Sequence, residues 1–246
     1  MLRQYCKFLI DKGNTKGSAV QWYALLRRYF TANGVDLGKY PKIDVRPRYE
    51  KPEVPSQDSV QGMVKSCDSP RDRFLIAFLA QTGQRIGILT AMKRNMITKI
   101  ASGHGIVKVP QTFPNPQGEN VNELELPYTF VIGRDTMRLL QDLPLCEGRW
   151  LLDISLRQMG RIVDKAAQAV DVQEKTQTEI GGSWSAVHPN TFRKYWKDCM
   201  IKAGSDPRSF MHMMGNRVPS VLGSWEPTDD KLLDAYKKAE RELEVL

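Results

Sequence analysis

Two arginines stand where helices begin or break, and each raises the question of which anion it meets. Arg85 lies in "QTGQRIGILTAM", just after a helix that Gly83 should end and just before a second, short helix. Its surroundings are mostly apolar, so its guanidinium needs a counter-charge to offset desolvation. The residues alone leave two partners open, a structural carboxylate or the phosphate of a ligand. Arg193 lies in "HPNTFRKYWKDCM", one turn into a helix that Pro189 and Asn190 open. An arginine there can support anion binding beside the free N–H groups of the helix start. A paired or surface arginine is the alternative.

Other chemistries find less support. The four cysteines, Cys6, Cys67, Cys146 and Cys199, are widely spaced and contain no CxxC pair, so free thiols are expected. The three histidines, His104, His188 and His212, have no Cys or His at metal-ligand spacing, and no zinc site or other cofactor is expected.

The elements that must hold the arginines can be read from spacing and caps. Residues 1–12 and 19–33 read as two helices, the second stopped by Gly34. "YPKIDVRPRYEKPEVPS" combines four prolines with many charges, which suits an extended linker. "SPRDRFLIAFLAQTG" has Ser69 as N-cap, Pro70 at the first position and Gly83 at the end. Its run FLIAFLA is apolar on nearly every side and predicts a buried helix. "GIVKVPQT" and "NELELPYTFVI" then alternate with β-branched character, and the Pro-, Asn- and Gly-rich "FPNPQGENV" between them predicts a hairpin with a long tip. Helices follow over 134–143, 155–170, 190–203 and 207–214, and a last one starts at Thr228 with Asp229 and Asp230 in its first turn.

Charge placement bears on partners. The net charge is +8, and residues 1–51 hold 11 Lys or Arg against 4 Asp or Glu. A basic arm of this kind suits a phosphate backbone, where neutralised phosphates release counterions; a solvated basic face is the alternative. No apolar run approaches the ~20 residues of a membrane span. The N-terminus is too short and polar for a signal peptide, so a cytoplasmic or other intracellular location is expected.

In order along the chain, these segments resemble the tyrosine recombinases, the phage integrase family. "TGQRIGIL" is similar to the family's TGxRxxEL segment, "HPNTFRKYW" to its (S)PHxLRHxF segment, and "MMGN" to its LGH turn. A hairpin lies between the first two, as in the family. The resemblance implies a mainly α fold with a small β-sheet. It divides the chain into a short helical core-binding (SAM-like) DNA-binding domain over 1–46, a linker over 47–56 and a catalytic domain over 57–246. Two helices are few for the family's four-helix core-binding domain, which leaves open a fragment or a reduced form.

The family cuts DNA with a tyrosine that forms a 3′-phosphotyrosyl link, without metal or ATP. Two arginines stabilise the charged transition state, and a hairpin lysine protonates the leaving hydroxyl. By resemblance, Arg85 and Arg193 are the arginines and Lys108 is the one candidate for the lysine. Asn190 and Asn216 fall on the two histidine positions, with His188 two residues early. Asparagine can hydrogen-bond a phosphate oxygen but cannot carry a proton between groups near neutral pH. Trp225 falls in the nucleophile's register, and an indole N–H does not attack phosphorus. Tyr236 is the remaining candidate nucleophile, yet Leu232, Leu233, Ala239 and Leu243 flank it at helical spacing, as they would a packing tyrosine.

Three functions therefore stand open. The first is an active recombinase on double-stranded DNA, self-associating there. The second is a DNA-binding protein of the same fold with lapsed chemistry. The third is an unrelated helical DNA-binding regulator. None implies a membrane or a small-molecule cofactor.

Overall fold

The structure is a computed structural model that describes residues 2–12, 16–35, 54–144, 150–173, 175–177, 183–219 and 227–246. Most of the linker expected over 47–56, together with Trp225 and Cys146, lies outside the described residues, as does the side chain of Cys6. The chain divides into two compact units, Met1–Pro52 with Lys175–Trp184, and Glu53–Glu174 with Ser185–Leu246.

The first unit contains helices α1 (Leu2–Asp11) and α2 (Lys16–Ala32). Ala19 and Tyr23 are buried there, while Tyr5, Phe8, Trp22, Leu25 and Tyr29 remain exposed.

The second unit is built around α4 (Pro70–Thr82), with α3 (Gln57–Lys65) before it and α5 (Ile86–Ala91) after it. The cap residues do what their chemistry dictates. Ser69 Oγ accepts the Asp72 N–H, Pro70 occupies the first turn, and Gly83 ends the helix in the left-handed region at φ +61°. Phe74, Leu75, Ile76, Phe78 and Leu79 are fully buried, and burial of each such side chain contributes about 1.5–3 kcal/mol. An all-round apolar sequence becomes an all-round buried helix.

Three short strands form one antiparallel sheet in the order β1 (Ile97–Lys99), β2 (Gly105–Val109), β3 (Tyr128–Ile132). Val107 pairs with Phe130 and Lys108 with Thr129. Val107, Val109, Phe130 and Ile132 face the core, and Lys108 faces out. The strand expected from residue 122 begins only at Tyr128. The Asn122 side chain bonds the carbonyls of Pro110 (2.9 Å) and Leu126 (2.8 Å), and Glu125 takes φ +51°, so a turn replaces the ladder. Strand β1 was not anticipated, nor was the pair β4 (Lys175–Gln177) and β5 (Ser183–Ser185). All three are only three residues long, too short to show a period.

The remaining helices are α6 (Arg134–Leu139), α7 (Leu156–Ala169), α8 (Pro189–Lys202), α9 (Pro207–Met213) and α10 (Asp229–Ala239). Ser155 and Gln158 form a capping box on α7, and Thr228 caps α10. Cys67 and Cys199 are free and buried, and burial raises each thiol to about 11, the opposite of a reactive thiolate. Among the described residues, no helix is long and apolar enough to cross a membrane.

Candidate functional site

Arg193 is the more deeply set of the two expected arginines. Its side chain leaves α8 toward the C-terminal end of α4 and the turn after α9. There Nη1 donates to the Gly83 carbonyl (2.9 Å), and Nη2 donates to the Met214 carbonyl (2.6 Å) and to Asn216 Oδ1 (2.9 Å). Both carbonyls are helix-end acceptors that would otherwise lack partners. Arg193 is only 9% exposed. Among the described residues, no carboxylate lies within ion-pair distance of it. Burial, and next the charge of Arg85, push its pKa down to about 10, which still leaves it a cation at neutral pH.

A polar brace fixes the same corner. Tyr128 donates to Gln84 Oε1 (2.9 Å), and Gln84 Nε2 donates to the Met213 carbonyl (2.6 Å). Gly215 turns at φ +64°, and a Cβ there would lie 2.7 Å from the Tyr128 ring, so both conformation and space require glycine. Gly83 is under the same double constraint, because its Cβ would meet the Trp196 ring at 2.8 Å.

Arg85 is the N-cap residue of α5 and is partly exposed. Its Nε lies 3.1 Å from Glu123 Oε2, on the loop between β2 and β3. Arg85 and Arg193 line one cleft of about 850 Å³, together with Lys194, Lys197, His188 and Asn190. Among the described residues, the lining holds four Lys or Arg side chains and one carboxylate, Glu123. His188 caps α8, its Nδ1 accepting the Asn190 N–H at 3.2 Å. Burial, and then Lys194, lower its pKa, so it is neutral at pH 7. Asn190 is exposed at the cleft. Asn216 holds Arg193 from behind and lines a separate cavity of about 290 Å³ with Tyr128, His212 and Arg217.

Two expected residues are not brought to this cleft. Lys108 pairs with Asp229 at the start of α10 (3.0 Å) and is absent from the cleft lining. Tyr236 is fully buried, packed edge-on to His104 with its hydroxyl beside Gly133. That hydroxyl has no hydrogen-bond partner among the described residues, and burial raises its pKa well above 10. A nucleophilic tyrosine needs access to phosphorus and help in losing its proton, and Tyr236 has neither in this arrangement. Its neighbours Leu232, Ala239 and Leu243 are all fully buried, as their helical spacing suggested.

Sequence reasoning missed Glu123 as the partner of Arg85. The signal was present in the acids at 119, 123 and 125 on the hairpin's long connection, but that stretch was assigned in part to a strand. The Gln84–Tyr128 brace left no motif to find. Among the described residues, no group of three or more His, Cys, Asp or Glu could hold a metal ion.

No family model matches the chain, and no curated protein matches it in sequence. Solved structures do match it in fold. The integrase of the Tn1549 transposon, in complex with a circular intermediate DNA, aligns with TM-score 0.64 at 13% identity over 96% of this chain and 84% of that one. The integrase from mycobacterium phage Brujita aligns with TM-score 0.53 at 17% identity, over 99% and 82%. XerA recombinase aligns with TM-score 0.51 at 15% identity, over 96% and 81%. The mostly helical architecture with its small antiparallel sheet is thus that of the tyrosine-recombinase catalytic domain.

Proposed function

We propose that this chain binds double-stranded DNA by its phosphate backbone through the Arg85–Arg193 cleft, and that its recombinase chemistry has lapsed. The observation that carries this reading is the convergence of the two arginines on one cleft. Arg193 keeps a buried positive charge with no carboxylate against it among the described residues, which suits a site that takes an external anion. The exposed part of Arg85 and the Asn190 side chain would meet the non-bridging oxygens of a phosphodiester. Lys194 and Lys197 would meet neighbouring phosphates. The Tn1549 integrase of the same fold was solved with DNA, which supports the choice of ligand.

The loss of cutting is supported by three positions. Asn190 and Asn216 cannot transfer protons, and Trp225 stands in the nucleophile's register. Tyr236 would have to leave the core to act. Residues 1–46 serve in this proposal as a short helical DNA-binding domain, with a linker over 47–56 and the recombinase-fold domain over 57–246.

Fluorescence anisotropy of a labelled duplex tests the reading. Binding should weaken steeply with salt, and Arg85→Ala should weaken it further and reduce the salt slope by about one. Salt-independent binding, or an Arg85→Ala variant that binds as tightly as the parent, would remove the cleft from the account.

A further inference from the structure

Among the described residues that line the cleft, Glu123 is the one carboxylate beside four Lys or Arg side chains, and it stands against Arg85, the more exposed of the two arginines. We propose that Glu123 is a built-in competitor for Arg85. It holds the place of a phosphate in the free protein and sets how tightly phosphate-bearing ligands bind. This rests on the reading of the cleft as a phosphate site.

The loop that carries Glu123 is fixed on both sides of it. Asn120 Oδ1 accepts the N–H groups of Phe113 (2.9 Å) and Asn122 (3.1 Å). Asn122 Nδ2 donates to the Pro110 and Leu126 carbonyls, and Val121 packs beside Gly87 at the start of α5. These anchors use backbone and asparagine groups, not the Glu123 carboxylate. The carboxylate is therefore positioned by the loop without holding it together.

The ion pair suits displacement. The Glu123 side chain is 65% exposed and that of Arg85 30% exposed, so the pair lies in solvent reach and adds little to folding. Its 3.1 Å contact runs through Nε. A phosphate in the cleft wants the same guanidinium and is repelled by the same carboxylate. Arg193 is not masked in this way: three of its five N–H groups go to neutral acceptors, the Gly83 and Met214 carbonyls and Asn216, and among the described residues no carboxylate pairs with it. Competition at Arg85 thus lowers the affinity of every phosphate that reaches Arg85, whether free or in a duplex.

Glu123→Gln removes the charge and keeps the shape. Binding is measured by calorimetry with inorganic pyrophosphate and by anisotropy with a short labelled duplex. The same assays are run on Arg85→Ala, on the double variant, and on Glu125→Gln as a charge control from the same exposed loop. Glu123→Gln should tighten both ligands by roughly five-fold, the upper range for one part-exposed ion pair. The gain should vanish in the Arg85→Ala background and be absent from Glu125→Gln. Equal or weaker binding by Glu123→Gln would overturn the proposal, as would a gain that persists without Arg85 or is matched by Glu125→Gln. A pyrophosphate gain with no duplex binding by either protein would retain the competitor and reject DNA as the ligand. Duplex binding that Glu123→Gln leaves unchanged would do the reverse.

Discussion

Arg193, proposed to meet phosphate, is also a structural residue. It satisfies the Gly83 and Met214 carbonyls at 2.9 and 2.6 Å, so its removal leaves buried acceptors unmet. Each such group costs about 1–3 kcal/mol. Arg193→Ala should therefore lower the urea midpoint markedly, whereas Arg85→Ala, partly exposed and paired with an exposed acid, should leave it nearly unchanged. Tyr236 gives the opposite test. Its hydroxyl is buried without a hydrogen-bond partner among the described residues, so Tyr236→Phe should leave stability unchanged or raise it by up to about 1 kcal/mol. A clear loss of stability would mean that the hydroxyl is engaged. The sequence allowed the two arginines to be identified because each sits beside a strong boundary signal, Gly83 or Pro189. Lys108 was harder to judge, because strand alternation tells that it faces out but not which neighbour it meets, here Asp229.

Helix starts were legible at Ser69, Ser155 and Thr228, whose side chains cap free N–H groups, but not at α3, although Ser56 caps it in the same way. The 122–127 segment was not, since local alternation lost to the Asn122 side-chain bonds, which depend on two carbonyls from elsewhere in the loop. The junction from α4 to α5 is the element on which the cleft depends most. Gly83 presents its carbonyl to Arg193 only in the left-handed conformation, under the Trp196 ring. Gly83→Ala should cost about 2–5 kcal/mol from backbone strain and overpacking. Its ligand affinity should fall even at temperatures where it stays folded. Chemical denaturation and anisotropy on one preparation check both effects.

At the scale of the whole molecule, the histidines predict how stability follows pH. His104, His188 and His212 all have pKa values lowered from 6.5, with burial as the leading cause, although Glu240 opposes it at His104. The unfolded chain then binds more protons than the folded one as pH drops below 6.5, so stability is greatest above that value and declines below it. His212 is the most explicit case, since Nε2 accepts the Thr129 N–H at 3.0 Å and must be unprotonated to do so. Thermal unfolding should show Tm falling between about pH 7 and pH 5. His212→Gln, which does not titrate, should flatten part of that fall.

The proposed function is a recombinase fold that holds DNA without cutting it. A nicked suicide duplex tests this most directly, at protein concentrations where anisotropy shows the DNA to be bound. The account predicts a salt-sensitive complex and no denaturant-resistant protein–DNA adduct. A covalent adduct that forms with the parent protein and disappears in Tyr236→Phe would contradict it.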